Sequence, residues 1–412
     1  VASALLALSV LSVLLSAPAP AAPGAVRLEA AWTAPLPPAF NGSPGSWLLA
    51  TDRSVYVAGL ELDAATGRAR RTLLRPLYQR GELLREAPSE LEQVAADGGR
   101  VFLLARFWYG GDLDPMDLAR SRQLANDRAL VVVDERTGRQ RWRLDAQLGS
   151  PLAVGEGIAL VLRDDRPTAL EASTGAVRWR APEGSSEGAE GAAIAGGVVA
   201  LEGSRAAPGS SVRGLAVADG RLLWETPLGG TAYAEPAAGR ELFFTTRESC
   251  TGVDPERCDA TVHALDRAGE VRWQRAIPGE RPMFRAPAIH DGRVVVVTDV
   301  AVHALSERTG EELWRRAVVA DSVTIDSRPT FAGPLVLLWA GDAVEHDRHG
   351  VSETWRVLAL DAATGALRWS FASRRPVSQL SRPFRIGQGG DLVYADGGAV
   401  RRMRKASPPA PR

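Results

Sequence analysis

The sequence predicts an all-β chain folded as an eight-bladed β-propeller, each blade a four-stranded antiparallel sheet. Three observations carry this expectation. A single hairpin motif recurs along the whole chain. Short apolar runs separated by turn residues precede each copy, with the 41 glycines and 27 prolines spread throughout rather than clustered. The two ends of the chain each hold part of one blade and complete each other.

The motif is clearest at Ala359-Leu360-Asp361-Ala362-Ala363-Thr364-Gly365-Ala366-Leu367-Arg368-Trp369. Relatives end at Trp142, Trp179, Trp224, Trp273 and Trp314, and a degraded copy, LELDAATGRARR, places Arg71 where the tryptophan should stand. Each copy reads as a strand, a tight turn in which glycine takes the positive φ required, and a second strand. Residues 285–314 display a whole unit: RAPAI, HDG, RVVVVT, then VAVHAL, SERTG and EELWRR. Four short strands in about forty residues make one blade. The tryptophan-equivalent positions are 71, 142, 179, 224, 273, 314 and 369, with gaps of 71, 37, 45, 49, 41 and 55 residues. The longest gap holds one strand pair, LEQVAADGGRVFLLARF, and an insertion rather than a hidden blade. After Trp369 come only three strands, RPFRI, DLVYADG and AVRRMRK, while Val26-Arg27-Leu28-Glu29-Ala30-Ala31-Trp32 supplies the missing fourth. Joining them closes the ring without a free blade edge. A seven-bladed ring is the alternative, and it leaves the three C-terminal strands unpaired.

Composition narrows the function classes. With 412 residues, 45% of them hydrophobic and 24% charged, the chain is that of a folded protein with a sizeable core. Lys+Arg and Asp+Glu both number 49, so no basic excess marks it for nucleic acid. Lys405 is the sole lysine, an arginine bias that reads as codon usage. The uncharged run Val1 to Ala17, followed by Ala17-Pro18-Ala19-Pro20-Ala21-Ala22-Pro23, reads as a signal peptide or an uncleaved anchor over 1–23. No cysteine follows it, so no lipid anchor is expected. Domain limits are then 26–404 for the propeller and 405–412 for a disordered, Pro-rich tail. The expected location is extracytoplasmic: periplasmic, cell-surface or secreted. Cys250 and Cys258, eight positions apart in ESCTGVDPERCD, are expected to form a local disulfide in that setting.

The A-L-D-x-x-T-G-x-x-x-W pattern, over about residues 26–404, resembles the repeat of the pyrroloquinoline quinone (PQQ)-like β-propellers. That superfamily contains quinoprotein alcohol dehydrogenases and the non-catalytic BamB-type scaffold of outer-membrane β-barrel assembly. The resemblance implies a tryptophan-docking girdle, so Trp32, Trp142, Trp179, Trp224, Trp273, Trp314 and Trp369 are read as structural, each indole packing between blades. The turn glycines Gly67, Gly138, Gly175, Gly220, Gly269, Gly310 and Gly365 are geometric in the same sense. A dehydrogenase of this superfamily would carry PQQ and Ca²⁺, adjacent cysteines above the quinone and a Glu/Asn/Asp calcium set; no Cys-Cys pair occurs here, and the calcium set has no counterpart that can be placed.

Function should lie where blades differ. The insertion over residues 107–128 opens with Phe107, Trp108 and Tyr109 and continues through Asp112, Asp114 and Asp117; Trp108, Tyr109, Asp112 and Asp114 are candidates for a partner-binding loop, while the spacing lacks the glycine and glutamate of a calcium loop. The segment 340–354 gathers Asp342, Glu345, His346, Asp347 and His349, which reads as a solvated hairpin loop more than a metal set. His263 and His303 occupy equivalent repeat positions. No G-x-S-x-G elbow is present. The expected function is therefore an exported, non-catalytic, monomeric scaffold for a protein partner in the cell envelope, without catalytic, cofactor or metal residues. The alternatives are a small-molecule or glycan-binding propeller and a PQQ/Ca²⁺-dependent alcohol dehydrogenase.

Overall fold

The computed structural model describes residues 28–35, 48–51, 53–57, 60–73, 90–106, 127–182, 191–203, 211–232, 235–250, 258–282, 286–317, 323–325, 328–342, 354–373, 384–386, 392–396 and 399–405. They form eight four-stranded antiparallel blades arranged as a β-propeller. Blade 1 holds Leu48–Ala50, Ser54–Val57, Leu60–Asp63 and Ala69–Thr72. Blade 2 holds Glu90–Asp97, Arg100–Arg106, Asp127–Asp134 and the start of Gln140–Gly155. That last strand runs unbroken from the outside of blade 2 to the inside of blade 3, a continuity the sequence pattern does not announce. Blade 3 continues with Ile158–Arg163, Arg166–Glu171 and Val177–Arg180, and blade 4 with Gly191–Ala195, Val198–Glu202, Ser211–Ala216 and Leu222–Pro227. In blade 5 two short segments, Thr231–Ala232 and Ala237–Ala238, precede Phe243–Cys250, Cys258–Leu265 and Val271–Ile277. Blade 6 comprises Ala288–His290, Arg293–Val297, Ala301–Ser306 and Glu312–Ala317. Blade 7 opens with Val323–Ile325 and Thr330–Ala332, followed by Leu335–Asp342, Thr354–Asp361 and Leu367–Ser373. Blade 8 is Phe384–Ile386, Leu392–Asp396 and Ala399–Lys405, completed by the N-terminal strand Leu28–Pro35, which pairs Leu28 with Lys405 and Pro35 with Ala399.

The first strands of neighbouring blades lie against one another around the axis, and the fourth strands form the exposed wall. Because a central strand is covered on both faces, its sequence is a continuous apolar run rather than an alternation. In blade 6, Val294 and Val296 face blade 5 while Val295 and Val297 face blade 7. The same division holds throughout: eight apolar clusters, one in each interface between adjacent blades, make up the core. Ring closure places Trp32 in the cluster between blades 8 and 1, with Leu48, Val55, Leu62, Val393 and Val400.

Candidate functional site

The repeated residues are engaged with one another. In blade 7, Asp361 Oδ1 accepts hydrogen bonds from the Ala363 and Thr364 backbone N–H groups and the Thr364 hydroxyl, which closes the turn, while Oδ2 accepts from Arg368. Hydrogen bonds from Arg368 first, then Thr364, hold the Asp361 carboxyl down at about 2. Asp63 with Arg70 and Asp134 with Arg141 repeat the arrangement. The indole of each outer strand lies on the turn glycine of the next blade and donates to a carbonyl beside it. Trp32 reaches Ala64 O at 2.9 Å, Trp142 Ala172 O at 3.1 Å, Trp179 Val217 O at 2.8 Å, Trp224 Arg267 O at 2.7 Å, Trp273 Glu307 O at 2.9 Å and Trp314 Ala362 O at 2.9 Å. Trp369 packs against the cluster between blades 7 and 8. Arg71 docks as the indoles do, by other chemistry: its guanidinium sits over Gly138 and donates to Gly138 O at 2.5 Å and Thr137 O at 2.6 Å, with its Nε 2.7 Å from the buried Glu61 carboxylate.

The candidate loop residues Trp108, Tyr109, Asp112 and Asp114 lie outside the described residues, as do Glu345, His346, Asp347 and His349. Asp342 ends the second strand of blade 7. Cys250 and Cys258 are directly opposite each other as the last pair of the blade 5 ladder. The equivalent histidines differ in surroundings. His263 is buried beside the ion pair of Arg247 (blade 5) and Glu202 (blade 4), and burial, then the Arg247 charge, pushes it down to about 4. Burial pushes the Glu202 carboxyl up, against the opposing pull of Arg247 and Thr245. His303 lies between two carboxylates, Nε2 2.7 Å from Glu280 and Nδ1 2.9 Å from Glu312. Burial would raise the Glu280 carboxyl, but hydrogen bonds from Thr298, His303 and Arg315 together hold it below the usual range. Both groups join neighbouring strands or blades.

Two features depart from the repeat. The first is an axial cavity of about 300 Å³, walled by the inner strands of blades 2 to 5 and by Arg328 at the entry to blade 7. Its lining is Ala95, Leu152, Val154, Ile194 and similar small aliphatics, with Gln93, Glu235 and Arg328 as its polar side chains. Arg328 and Glu235 face each other at 4.0 Å, each with about a third of its side chain exposed to the cavity. This set does not suit the quinone and calcium of the dehydrogenases: it offers one carboxylate, and among the described residues no group of three His, Cys, Asp or Glu side chains converges to hold a metal ion.

The second feature is on the outer wall. Every large aliphatic side chain that is exposed among the described residues lies at the start of a fourth strand: Val177, Leu222, Leu223, Val271, Leu313 and Leu367. They form one arc over the consecutive blades 3 to 7. In blades 4 and 6 the arginine that precedes the tryptophan is replaced by Leu223 and Leu313, and the acidic partner at the turn is replaced by Ala216 and Ser306. This paired loss is the sequence signal for the exposure of Leu223 and Leu313.

A family model described as outer membrane protein assembly factor BamB matches residues 126–257 and 258–404. Among solved structures the chain is similar to the computationally designed Ika8 protein, at 15% identity and a TM-score of 0.57, over 87% of this chain and 93% of that one. It is also similar to BamB from Moraxella catarrhalis, at 15% identity and a TM-score of 0.39, over 68% of this chain and 94% of that one. No curated protein matches.

Proposed function

The chain belongs to the family of outer membrane protein assembly factor BamB, and from that membership we propose that it is an exported, monomeric, non-catalytic propeller that holds a protein partner in the cell envelope, without a cofactor. The observation that carries this reading is the arc of exposed aliphatic side chains on blades 3 to 7. Fourth strands are sheet edges with unpaired backbone donors and acceptors, and charged residues ordinarily guard such edges. In blade 4 the rim arginine of that guard is missing: the edge strand Leu222–Pro227 opens with Leu222 and Leu223, 49% and 38% exposed, and its one charge, Glu225, is paired with Arg213. An extended, apolar segment of a partner can add there as a fifth strand, with backbone hydrogen bonds for affinity and the leucines for specificity.

The test restores the guard. In Ala216→Asp/Leu223→Arg the rim ion pair of blades 1, 2, 3 and 7 is rebuilt, a part-exposed pair that changes stability by about 1 kcal/mol or less. A photo-crosslinker at Leu222 is expected to capture a discrete envelope protein, and the rebuilt pair to abolish that capture at unchanged melting temperature. Equal capture from a crosslinker at Asp165, on a turn at the opposite end of blade 3, would remove the arc as the binding surface.

A further inference from the structure

Taking the arc as the partner surface, we propose that the proton on His303 gates it: the imidazolium holds the Glu312 carboxylate inward, and loss of that proton releases a charge into the middle of the arc.

The position two residues before the tryptophan carries Val177, Leu222, Val271 and Leu367 in blades 3, 4, 5 and 7. Blade 6 has Glu312 there, one charge in an otherwise aliphatic row. Blade 5 has the equivalent histidine, His263, but with Val271; blade 6 combines histidine with glutamate. In that combination Nε2 of the buried His303 ring lies 2.7 Å from Glu280 and Nδ1 2.9 Å from Glu312. A neutral imidazole has a single N–H and can donate to one of the two. With both carboxylates ionised, both contacts are attractive only in the imidazolium.

The two carboxylates are held unequally. Glu280, its side chain 10% exposed, also accepts from the Thr298 hydroxyl at 2.5 Å and from Arg315 at 2.7 Å. Glu312 is 31% exposed and has His303 as its one side-chain partner among the described residues. When the ring loses a proton, Glu280 keeps the remaining N–H, the Nδ1 lone pair faces Glu312, and that carboxylate turns out to water. It then stands between Val271 and Leu367 and beside Leu313, where a partner laid across blades 5 to 7 must desolvate it.

The surrounding charges do not change with the ring. The neighbouring strand of blade 6 presents Val294 and Val296, and its fourth strand Glu312 and Arg315. From blade 5, Trp273 and Ile277 line the interface, and the exposed Arg275 alternates with them. Glu248 of blade 5 is paired with Arg281, whose backbone N–H donates to Asp299. Carboxylates stay ionised and arginines protonated from mildly acidic to mildly basic pH, so the imidazole is the member of this set whose charge can change there.

Nitrogen NMR of the full chain, labelled in its five histidines, follows the proton, the His303 signals being those lost in His303→Gln. Photo-crosslinkers replacing Leu313, next to Glu312, and Leu222, two blades away, follow the rim. From about pH 5 to about pH 9, His303 is expected to pass from protonation of both nitrogens to Nε2 alone. Over the same interval capture at Leu313 relative to Leu222 should fall roughly tenfold. Glu312→Gln, at an exposed site, removes the charge and should keep that ratio near its acidic value at every pH. A ring that keeps one protonation state across the range overturns the gate and leaves the rim reading standing. So does a ratio that stays flat in the unaltered chain while Leu222 captures, or one that still falls in Glu312→Gln. Capture at neither position at any pH overturns the rim reading itself, and the gate with it.

Discussion

Substituting Gly310 by alanine isolates what docks one blade onto the next. The residue has φ of +71°, and a Cβ added to it would lie 2.6 Å from Cε3 and 2.8 Å from Cδ2 of Trp273. Two costs follow. The left-handed backbone conformation costs an L-residue about 1–2 kcal/mol, and forcing a methyl into a packed ring costs about 1–3 kcal/mol more. Gly292, on a neighbouring turn of the same blade, separates them: its φ is +72°, but nothing lies within 4 Å of its added Cβ. Gly292→Ala should therefore lose only about 1–2 kcal/mol, and Gly310→Ala about 2–5 kcal/mol. Any entropic gain from stiffening the unfolded chain is common to both and cancels. In a Trp273→Ala background the obstruction is gone, so Gly310→Ala should fall to the cost seen at Gly292, a coupling of about 1–3 kcal/mol. Urea unfolding followed by far-UV circular dichroism supplies the four free energies. Equal losses at Gly310 and Gly292, or strict additivity of Gly310→Ala with Trp273→Ala, would refute the close stacking of indole on glycine as the source of interblade docking.

Arg71→Trp restores the repeat residue yet should destabilise the protein by about 1–3 kcal/mol, because it removes the partner of one oxygen of the buried Glu61 carboxylate, leaving it the Ser54 hydroxyl and Arg70 at 3.7 Å; adding Glu61→Leu should recover most of the loss in unfolding midpoint. His263 takes up its proton at about 4 in the folded protein and at 6.5 when unfolded. Its contribution is complete above pH 6.5, declines as pH falls toward 4, and amounts to roughly 3 kcal/mol over that window. His263→Gln, beside Arg247 and Glu202, should flatten that segment of a stability–pH curve. Cys250 and Cys258 should resist alkylation until reduced, and replacing both with serine should cost roughly 2–3 kcal/mol if their bond closes this short loop.

The scaffold was legible because a propeller writes its geometry into repetition. The turn glycines, the valine runs such as Val294–Val297 and the orphan strand ending at Trp32 each state a local need, and the ring satisfies them together. Arg71 was read as a decayed tryptophan, since the pattern carries no information on the carbonyls of Gly138 and Thr137 that a guanidinium can use. The Glu202–Arg247 pair was invisible for a related reason: its members lie in different blades, and sequence spacing fixes register within a blade, not between blades. Glu235 and Arg328 sit in the segments that lead into inner strands, where no copy of the motif gives a frame for comparison. The arc has no single sequence signal: only in blades 4 and 6 is it marked, by the joint loss of arginine and acid, while Val177, Val271 and Leu367 stand beside an intact pair.

A closed ring also explains why the most repeated residues say least about function. Each blade meets two neighbours of the same kind, so a position repeated around the ring is consumed either by an interface, as Trp273 on Gly310 is, or by the blade's own turn, as Asp361 with Arg368 is. Recognition must then come from breaks in the symmetry, and a break that leaves a charge unmatched would itself cost stability. At blades 4 and 6 the breaks are matched: Leu223 stands with Ala216 and Leu313 with Ser306, so arginine and acid are lost together and neither is left alone. In the cavity too the departure from the repeat brings opposite charges together, Glu235 facing Arg328 at 4.0 Å. Departures that preserve charge balance cost the fold little, and at blades 4 and 6 they leave Leu223 and Leu313 exposed on the wall where the other blades carry a charge.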